Sequence, residues 1–188
     1  MAALCQTPVT LHNLLVSDDT SRMREALLAL GVSFKDDELT TQVEGLGGHW
    51  RQASSELYLG NAGTAMRPLI AVLSATAKEE LAPMVLKGDA RMHERPVQHL
   101  VDALQMQGAS IDYLGESGFP PLAISQGLAP GKFEIDGSVS SQFISALLMA
   151  LPLLPGDSTL TLKGEVVSRP YINLTLQMLA DFGISVKE

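Results

Sequence analysis

Four arginines sit where binding of an anion is easiest to arrange: Arg67, Arg91, Arg95 and Arg169 each lie in a segment that also carries turn or capping residues. The first belongs to Leu57-Tyr58-Leu59-Gly60-Asn61-Ala62-Gly63-Thr64-Ala65-Met66-Arg67-Pro68, which puts two glycines, a threonine and an arginine at an expected helix start. Unsatisfied backbone amides and the positive end of the helix dipole favour an anion there, and glycine lets a ligand approach the backbone closely. The segment is neither a P-loop, which needs Lys-Ser/Thr after its last glycine, nor a GxGxxG dinucleotide loop. A second loop, Asp136-Gly137-Ser138-Val139-Ser140-Ser141-Gln142-Phe143, precedes an apolar helix expected over Ile144–Leu151. Ser140 and Ser141 offer hydroxyls and amides to phosphate oxygens, and Gln142 adds a donor and an acceptor. Taken alone, both loops also read as ordinary helix caps.

Between them, Lys87-Gly88-Asp89-Ala90-Arg91-Met92-His93-Glu94-Arg95-Pro96 is echoed by Lys163-Gly164-Glu165-Val166-Val167-Ser168-Arg169-Pro170-Tyr171. Each places basic or hydroxyl residues ahead of a proline suited to a helix's first turn, so the two loops should emerge on one face. Arg91 on such a loop can form paired hydrogen bonds to a carboxylate or phosphate. With no ligand in view, Arg91 and Arg95 read as surface ion-pair partners of Glu94 or Asp89. His12, His49, His93 and His99 lack metal-ligand spacing, and Cys5 has no histidine or basic cluster beside it in the sequence, so neither metal nor nucleophilic chemistry is indicated.

The elements that must position these loops repeat along the chain. Met23–Phe34, Leu100–Tyr113 and Leu174–Val186 each read as an amphipathic helix closed by a glycine (Gly31, Gly108, Gly183) and followed by an alternating strand. Leu86-Lys87-Gly88 recurs as Leu162-Lys163-Gly164, Arg95-Pro96 as Arg169-Pro170, and Gly60–Thr64 as Gly137–Ser141. One structural unit is used repeatedly. Its second copy predicts helices over Thr64–Ala77 and Pro96–Gln107 and strands near Met84–Leu86, Ala109–Tyr113 and Leu122–Ser125, with another at Lys132–Ile135. The expected units are residues 1–58, 59–135 and 136–188 of a single lobe, 1–188. By the repeat's spacing the first unit lacks its opening loop and helix, so that Met1–Leu4 falls inside a helix, and the third lacks its last strands.

The 188 residues are 46 % apolar, enough for a packed core. One cysteine excludes an internal disulfide framework and suits a reducing compartment. A net charge of −8 argues against general nucleic-acid binding. The expected location, from the single cysteine, is the cytoplasm, and the longest nearly apolar run, Phe143–Pro155, is too short to span a bilayer as a helix.

Leu59–Pro68, Arg91-Met92-x-Glu94-Arg95-Pro96, Asp136–Phe143 and Val167-Ser168-Arg169-Pro170-Tyr171 together resemble, in order, the motifs of the 5-enolpyruvylshikimate-3-phosphate synthase family. The resemblance covers nearly the whole chain, from Asn13-Leu14-Leu15 to Gly183. It implies an α/β (α+β) enolpyruvyl transferase lobe of repeated βαβαββ units around a pseudo-threefold axis, with substrates in a cleft between two lobes. The reaction implied joins phosphoenolpyruvate to the 5-hydroxyl of shikimate 3-phosphate and releases phosphate, without metal or organic cofactor.

Carried over by motif, the resemblance implies that Ser140, Ser141 and Ser168 hold the phosphate of shikimate 3-phosphate while Gln142 and Tyr171 touch its ring or hydroxyls. Gly63, Arg91 and again Gln142 would hold phosphoenolpyruvate, with Asn61, Thr64 and Arg67 supporting the loop. Gly63, Thr64 and Pro68 lie where the family's response to glyphosate is tuned. The family's Gly-Ser-Lys-Ser segment and its proton-transfer carboxylates match nothing here, so no catalytic residue is assigned. The resemblance places them before Met1 and in a second lobe after Glu188, and this chain alone is expected to be inactive. Two other readings stay open: a non-catalytic phosphoshikimate-binding module, and the related transferase acting on UDP-N-acetylglucosamine.

Overall fold

The computed structural model describes residues 1–51, 55–77 and 82–187; Glu188, counted above in the third unit, lies outside them. Among the described residues three sheets and five α-helices follow one another. β1 (Val9–His12), α1 (Asp18–Ala29), β2 (Ser33–Asp36) and β3 (Thr40–Glu44) come first, and the strands form an antiparallel sheet of order β1-β3-β2. β4 (Glu56–Tyr58), α2 (Gly63–Thr76), β5 (Met84–Lys87), α3 (Gln98–Gln105), β6 (Ser110–Tyr113) and β7 (Leu122–Gln126) follow. Their sheet has the order β4-β5-β7-β6, with β4 parallel to β5 and the other pairs antiparallel. β8 (Lys132–Asp136), α4 (Ser141–Ala150), β9 (Thr159–Lys163) and α5 (Arg169–Asp181) complete the described chain, with β8 parallel to β9. The result is the mixed α/β architecture expected from the motifs.

The core lies between the helices and the larger sheets. α2 buries Ala65, Met66, Leu69, Ile70, Ala71, Val72 and Leu73, an almost wholly apolar surface that only a central helix can satisfy. It packs most extensively against α4, which buries Phe143, Ile144, Ala146, Leu147 and Ala150. Leu100, Val101, Ala103 and Leu104 of α3 close the same cluster beside Leu86, Leu122 and Ile124.

Local chemistry explains where the helices begin. α1 starts at Asp18, ahead of the Met23 start read from its apolar spacing, because Ser17 forms a capping box: its Oγ accepts from the Thr20 amide (3.3 Å) while Thr20 Oγ1 accepts from the Ser17 amide (3.0 Å). Asp18 and Asp19 fill the first turn, where carboxylates complement the dipole. The closing glycines take left-handed φ values of +93°, +94° and +79° at Gly31, Gly108 and Gly183, as helix-ending glycines do.

Two local expectations are corrected. Ile184–Val186 is not a strand: the Ile184 amide donates back to Leu179 O (2.9 Å) at the end of α5, and no neighbouring strand among the described residues offers a ladder. Met1–Leu4 does not lie in an α-helix. Ala2–Leu4 makes a single 3-10 turn, and Cys5 then becomes extended toward β1.

Candidate functional site

Both parallel strand pairs are connected through a helix, and their loops leave the carboxyl ends of the strands, the usual place for ligands in parallel α/β units. The two copies are tied in the same way. Leu59 N donates to Lys87 O (2.8 Å) in one, and Gly137 N donates to Lys163 O (2.8 Å) in the other. Asp89 N then reaches Gly60 O (3.0 Å), and Val167 N reaches Gly137 O (3.1 Å). The repeated Leu-Lys-Gly thus holds each helix-start loop against the loop after the next strand, so the tertiary structure brings the Ser140 and Ser168 segments together.

The helix starts converge as well. Thr64 Oγ1 in the first turn of α2 donates to Asp19 Oδ2 in the first turn of α1 (2.5 Å). Arg67 of α2 lies over the Phe143 ring of α4 at 5.8 Å, and His99 of α3 lies 6.4 Å from the same ring. Four helices therefore direct their amino ends, with their partial positive charge, toward one region.

Within it, Asn61, Arg91, Glu94 and Arg95 line an open cavity of about 470 Å³. Arg91 and Glu94 are exposed and pair loosely at 3.4 Å, the contact anticipated when no ligand is considered. Arg95 does not make the surface ion pair expected of it: its Nη1 donates to Asn61 O (2.9 Å) and Oδ1 (3.2 Å), fastening the Gly63 loop from a position 34 residues away. The pairing of Arg95-Pro96 with Arg169-Pro170 was the sequence signal that set this arginine apart. Asn61 and Thr64 are both engaged at the loop, whereas Arg67 is 6 % exposed and its Nη1 has no hydrogen-bond partner among the described residues. Burial first, and then the charge of Arg95, push the Arg67 guanidinium down to about 10.

The other assigned residues form a second cluster and do not line that cavity. Ser140 caps α4, its Oγ accepting from the Gln142 amide (3.2 Å), while Ser141 is buried directly behind it. Ser168 precedes α5 in the left-handed conformation (φ 54°), with its side chain uninvolved in capping, and Tyr171 is 67 % exposed on the first turn. A Ser145–Thr175 hydroxyl contact (2.8 Å) ties α4 to α5 behind them. Asp136 fixes the loop by accepting from Ser138 Oγ (2.7 Å) and Ser138 N (2.8 Å), bonds that with His99 lower its carboxyl pKa. This cluster carries the hydroxyls of Ser140, Ser141, Ser168 and Tyr171 and the carboxamide of Gln142, groups that can hydrogen-bond a phosphorylated polyol, and the flanking carboxylate of Asp136 is occupied by Ser138. Phe143 beneath Arg67 connects it to the arginine cavity. Among the described residues no group of three or more His, Cys, Asp or Glu side chains is placed to hold a metal, and no helix is long and apolar enough to cross a membrane.

Comparison with known proteins agrees with these motifs. The family model for EPSP synthase (3-phosphoshikimate 1-carboxyvinyltransferase) matches residues 1–188. A 3-phosphoshikimate 1-carboxyvinyltransferase of Idiomarina loihiensis is 80 % identical over 188 residues, covering all of this chain and 44 % of the relative. Its counterpart in Histophilus somni is 52 % identical over 192 residues, again 44 % of that protein. The EPSP synthase of Acinetobacter baumannii superposes with a TM-score of 0.84 at 29 % identity, covering 100 % of this chain and 41 % of the solved one. The chain thus spans less than half the length of the curated relatives it matches. With a match that leaves no part of the sequence out, and with the motif loops gathered at converging helix starts, this chain belongs to the EPSP synthase (3-phosphoshikimate 1-carboxyvinyltransferase) family.

Proposed function

We infer that the chain supplies one lobe's contacts for transfer of the enolpyruvyl group from phosphoenolpyruvate to the 5-hydroxyl of shikimate 3-phosphate, a step toward chorismate and the aromatic amino acids. The observation that carries this reading is the pair of adjoining clusters at the converging helix starts, one cationic (Arg91, Arg95) and one hydroxylic (Ser140, Ser141, Ser168). In this reading Ser140, Ser141 and Ser168 bind the phosphate of shikimate 3-phosphate, and Gln142 and Tyr171 orient its ring. Gly63 through its backbone, Arg91 and Gln142 hold phosphoenolpyruvate. Two anions can then lie side by side because fixed cations and helix dipoles offset their repulsion.

The reaction needs a proton delivered to the methylene carbon of phosphoenolpyruvate as the 5-hydroxyl, losing its own proton, attacks the adjacent carbon; phosphate then leaves the tetrahedral intermediate as the new methyl group gives up a proton to restore the double bond. No residue of the two clusters is assigned any of these proton transfers. We propose that the acid–base groups lie in the part of the relatives' length that this chain does not span, on a second lobe that also closes the cleft against water. The chain alone then binds shikimate 3-phosphate weakly and does not turn it over, and its setting is the cytoplasm.

Titration calorimetry with shikimate 3-phosphate, phosphoenolpyruvate and UDP-N-acetylglucosamine tests the reading, with phosphate release followed in parallel. The expected result is weak binding of the first, abolished in Ser168→Ala/Tyr171→Phe, and no turnover. Preference for the nucleotide sugar, or steady phosphate release by the chain alone, overturns it.

A further inference from the structure

Arg67 is difficult to explain as a structural residue. Its guanidinium belongs to the second turn of α2 and folds back toward that helix's own positive end, so that Nη1 stands only 2.2 Å from where a β-carbon on Gly63 would be. Arg95 Nη2 occupies the same flank, 2.7 Å from that point. The side chain is 94 % shielded by its exposure of 6 %, its Nη1 is unpartnered among the described residues, and its closest ring is Phe143. Burial, a like charge and the helix dipole all act against this cation, and no carboxylate among the described residues is paired with it. If Arg67 served only to brace the loop, a hydrogen bond from Nη1 to Asn61 would be expected, and Arg95 makes that bond instead.

The geometry points to a further binding role: Arg67 and Arg95 are two additional cations for a tetrahedral oxyanion seated at the start of α2, beyond the contacts assigned to Gly63 and Arg91. This rests on the proposed reading of the Gly63 loop as the seat of the enolpyruvyl donor, and it identifies which charges make that seat attractive in a chain of net charge −8. Arg95 borders the open cavity and can turn a donor toward the anion. Arg67 acts from beneath the glycine, across a short path of low dielectric in which charge is poorly screened. An anion there relieves the repulsion between the two guanidiniums, which is why the pair is tolerated. The depressed pKa of Arg67 agrees with a site in which the compensating charge comes from a ligand.

The test uses this chain and inorganic phosphate as the probe, so that it stands apart from whether shikimate 3-phosphate or phosphoenolpyruvate is the natural ligand. Melting temperature and phosphate affinity are measured for the wild type and for Arg67→Met, Arg67→Lys and Arg95→Gln. The expected result is that phosphate raises the wild-type melting temperature. Arg67→Met melts higher than wild type without phosphate, because an uncompensated buried charge is gone, yet binds phosphate about tenfold more weakly or worse. Arg67→Lys, which keeps the charge, stays within about threefold of wild type, and Arg95→Gln loses about fivefold or more. A lower melting temperature or failure to fold in Arg67→Met makes Arg67 a packing residue and overturns the inference whatever its affinity. Phosphate binding that is absent from the wild type, or unchanged in Arg95→Gln, overturns it as well. Loss of shikimate 3-phosphate binding with these phosphate results intact overturns the reading of the hydroxylic cluster and leaves the cation pair standing.

Discussion

Replacing Gly63 by alanine separates the architecture of the loop from its ligand chemistry. The new methyl carbon falls 2.2 Å from Arg67 Nη1, 2.7 Å from Arg95 Nη2 and 2.8 Å from Arg95 Cζ. Ordinary contact needs about 3.5 Å, so the guanidiniums must retreat by about 1 Å. Arg67 is enclosed and cannot move far, whereas Arg95 borders the cavity and can swing outward. In doing so it gives up its bonds to Asn61 O and Oδ1. Charged hydrogen bonds at a partly exposed site are worth about 1–2 kcal/mol together, and alanine's helix preference over glycine returns up to about 1 kcal/mol. Forcing the enclosed Arg67 aside adds about 1–3 kcal/mol of overpacking, so the net cost is about 1–4 kcal/mol and the melting temperature should fall by about 2 °C or more for a chain of this size. Donor binding suffers more, because the loop is no longer fastened and the seat is narrowed: phosphoenolpyruvate affinity should drop about tenfold or more, while shikimate 3-phosphate affinity changes less than about twofold. Differential scanning calorimetry and isothermal titration with each ligand measure the three quantities. Unchanged phosphoenolpyruvate affinity, or an equal loss for both ligands, refutes the reasoning.

Gly88→Ala should be more destabilising than Gly63→Ala, because its β-carbon meets the Gly60 carbonyl oxygen at 2.3 Å and Met92 Cβ at 2.5 Å, atoms held by backbone and not by a side chain's far end; chemical denaturation checks the ranking. Asp36 is held down to about 2 by its hydrogen bonds from Arg24 and then Thr41, so its contribution is present above the ordinary carboxylate pKa and is lost as pH falls from about 4 toward 2. Stability curves of wild type and Asp36→Asn should therefore differ at pH 6 and converge near pH 2, and a constant difference across that range would remove the ion pair as its cause.

Much of this protein was legible in its sequence because much of it is decided between near neighbours. The positive φ at Gly31, Gly108 and Gly183 follows from a helix needing a residue without a β-carbon at its end. The recurrence of Leu-Lys-Gly and of Arg-Pro indicated that the helix-start loops share a face, and that inference requires only that like segments fold alike. Tertiary structure decided what depends on sheet register and helix packing. Arg95 reaches Asn61 across 34 residues and Thr64 reaches Asp19 across 45, distances over which spacing in the sequence carries no geometric information. The sequence marks Arg67 as an arginine near a helix start, and only the packing of α2 against α4 encloses it over Phe143 and leaves its Nη1 without a hydrogen-bond partner among the described residues. Ile184–Val186 has the alternation of a strand, but alternation is a property of the segment alone, whereas a strand exists only where a neighbour supplies its hydrogen bonds.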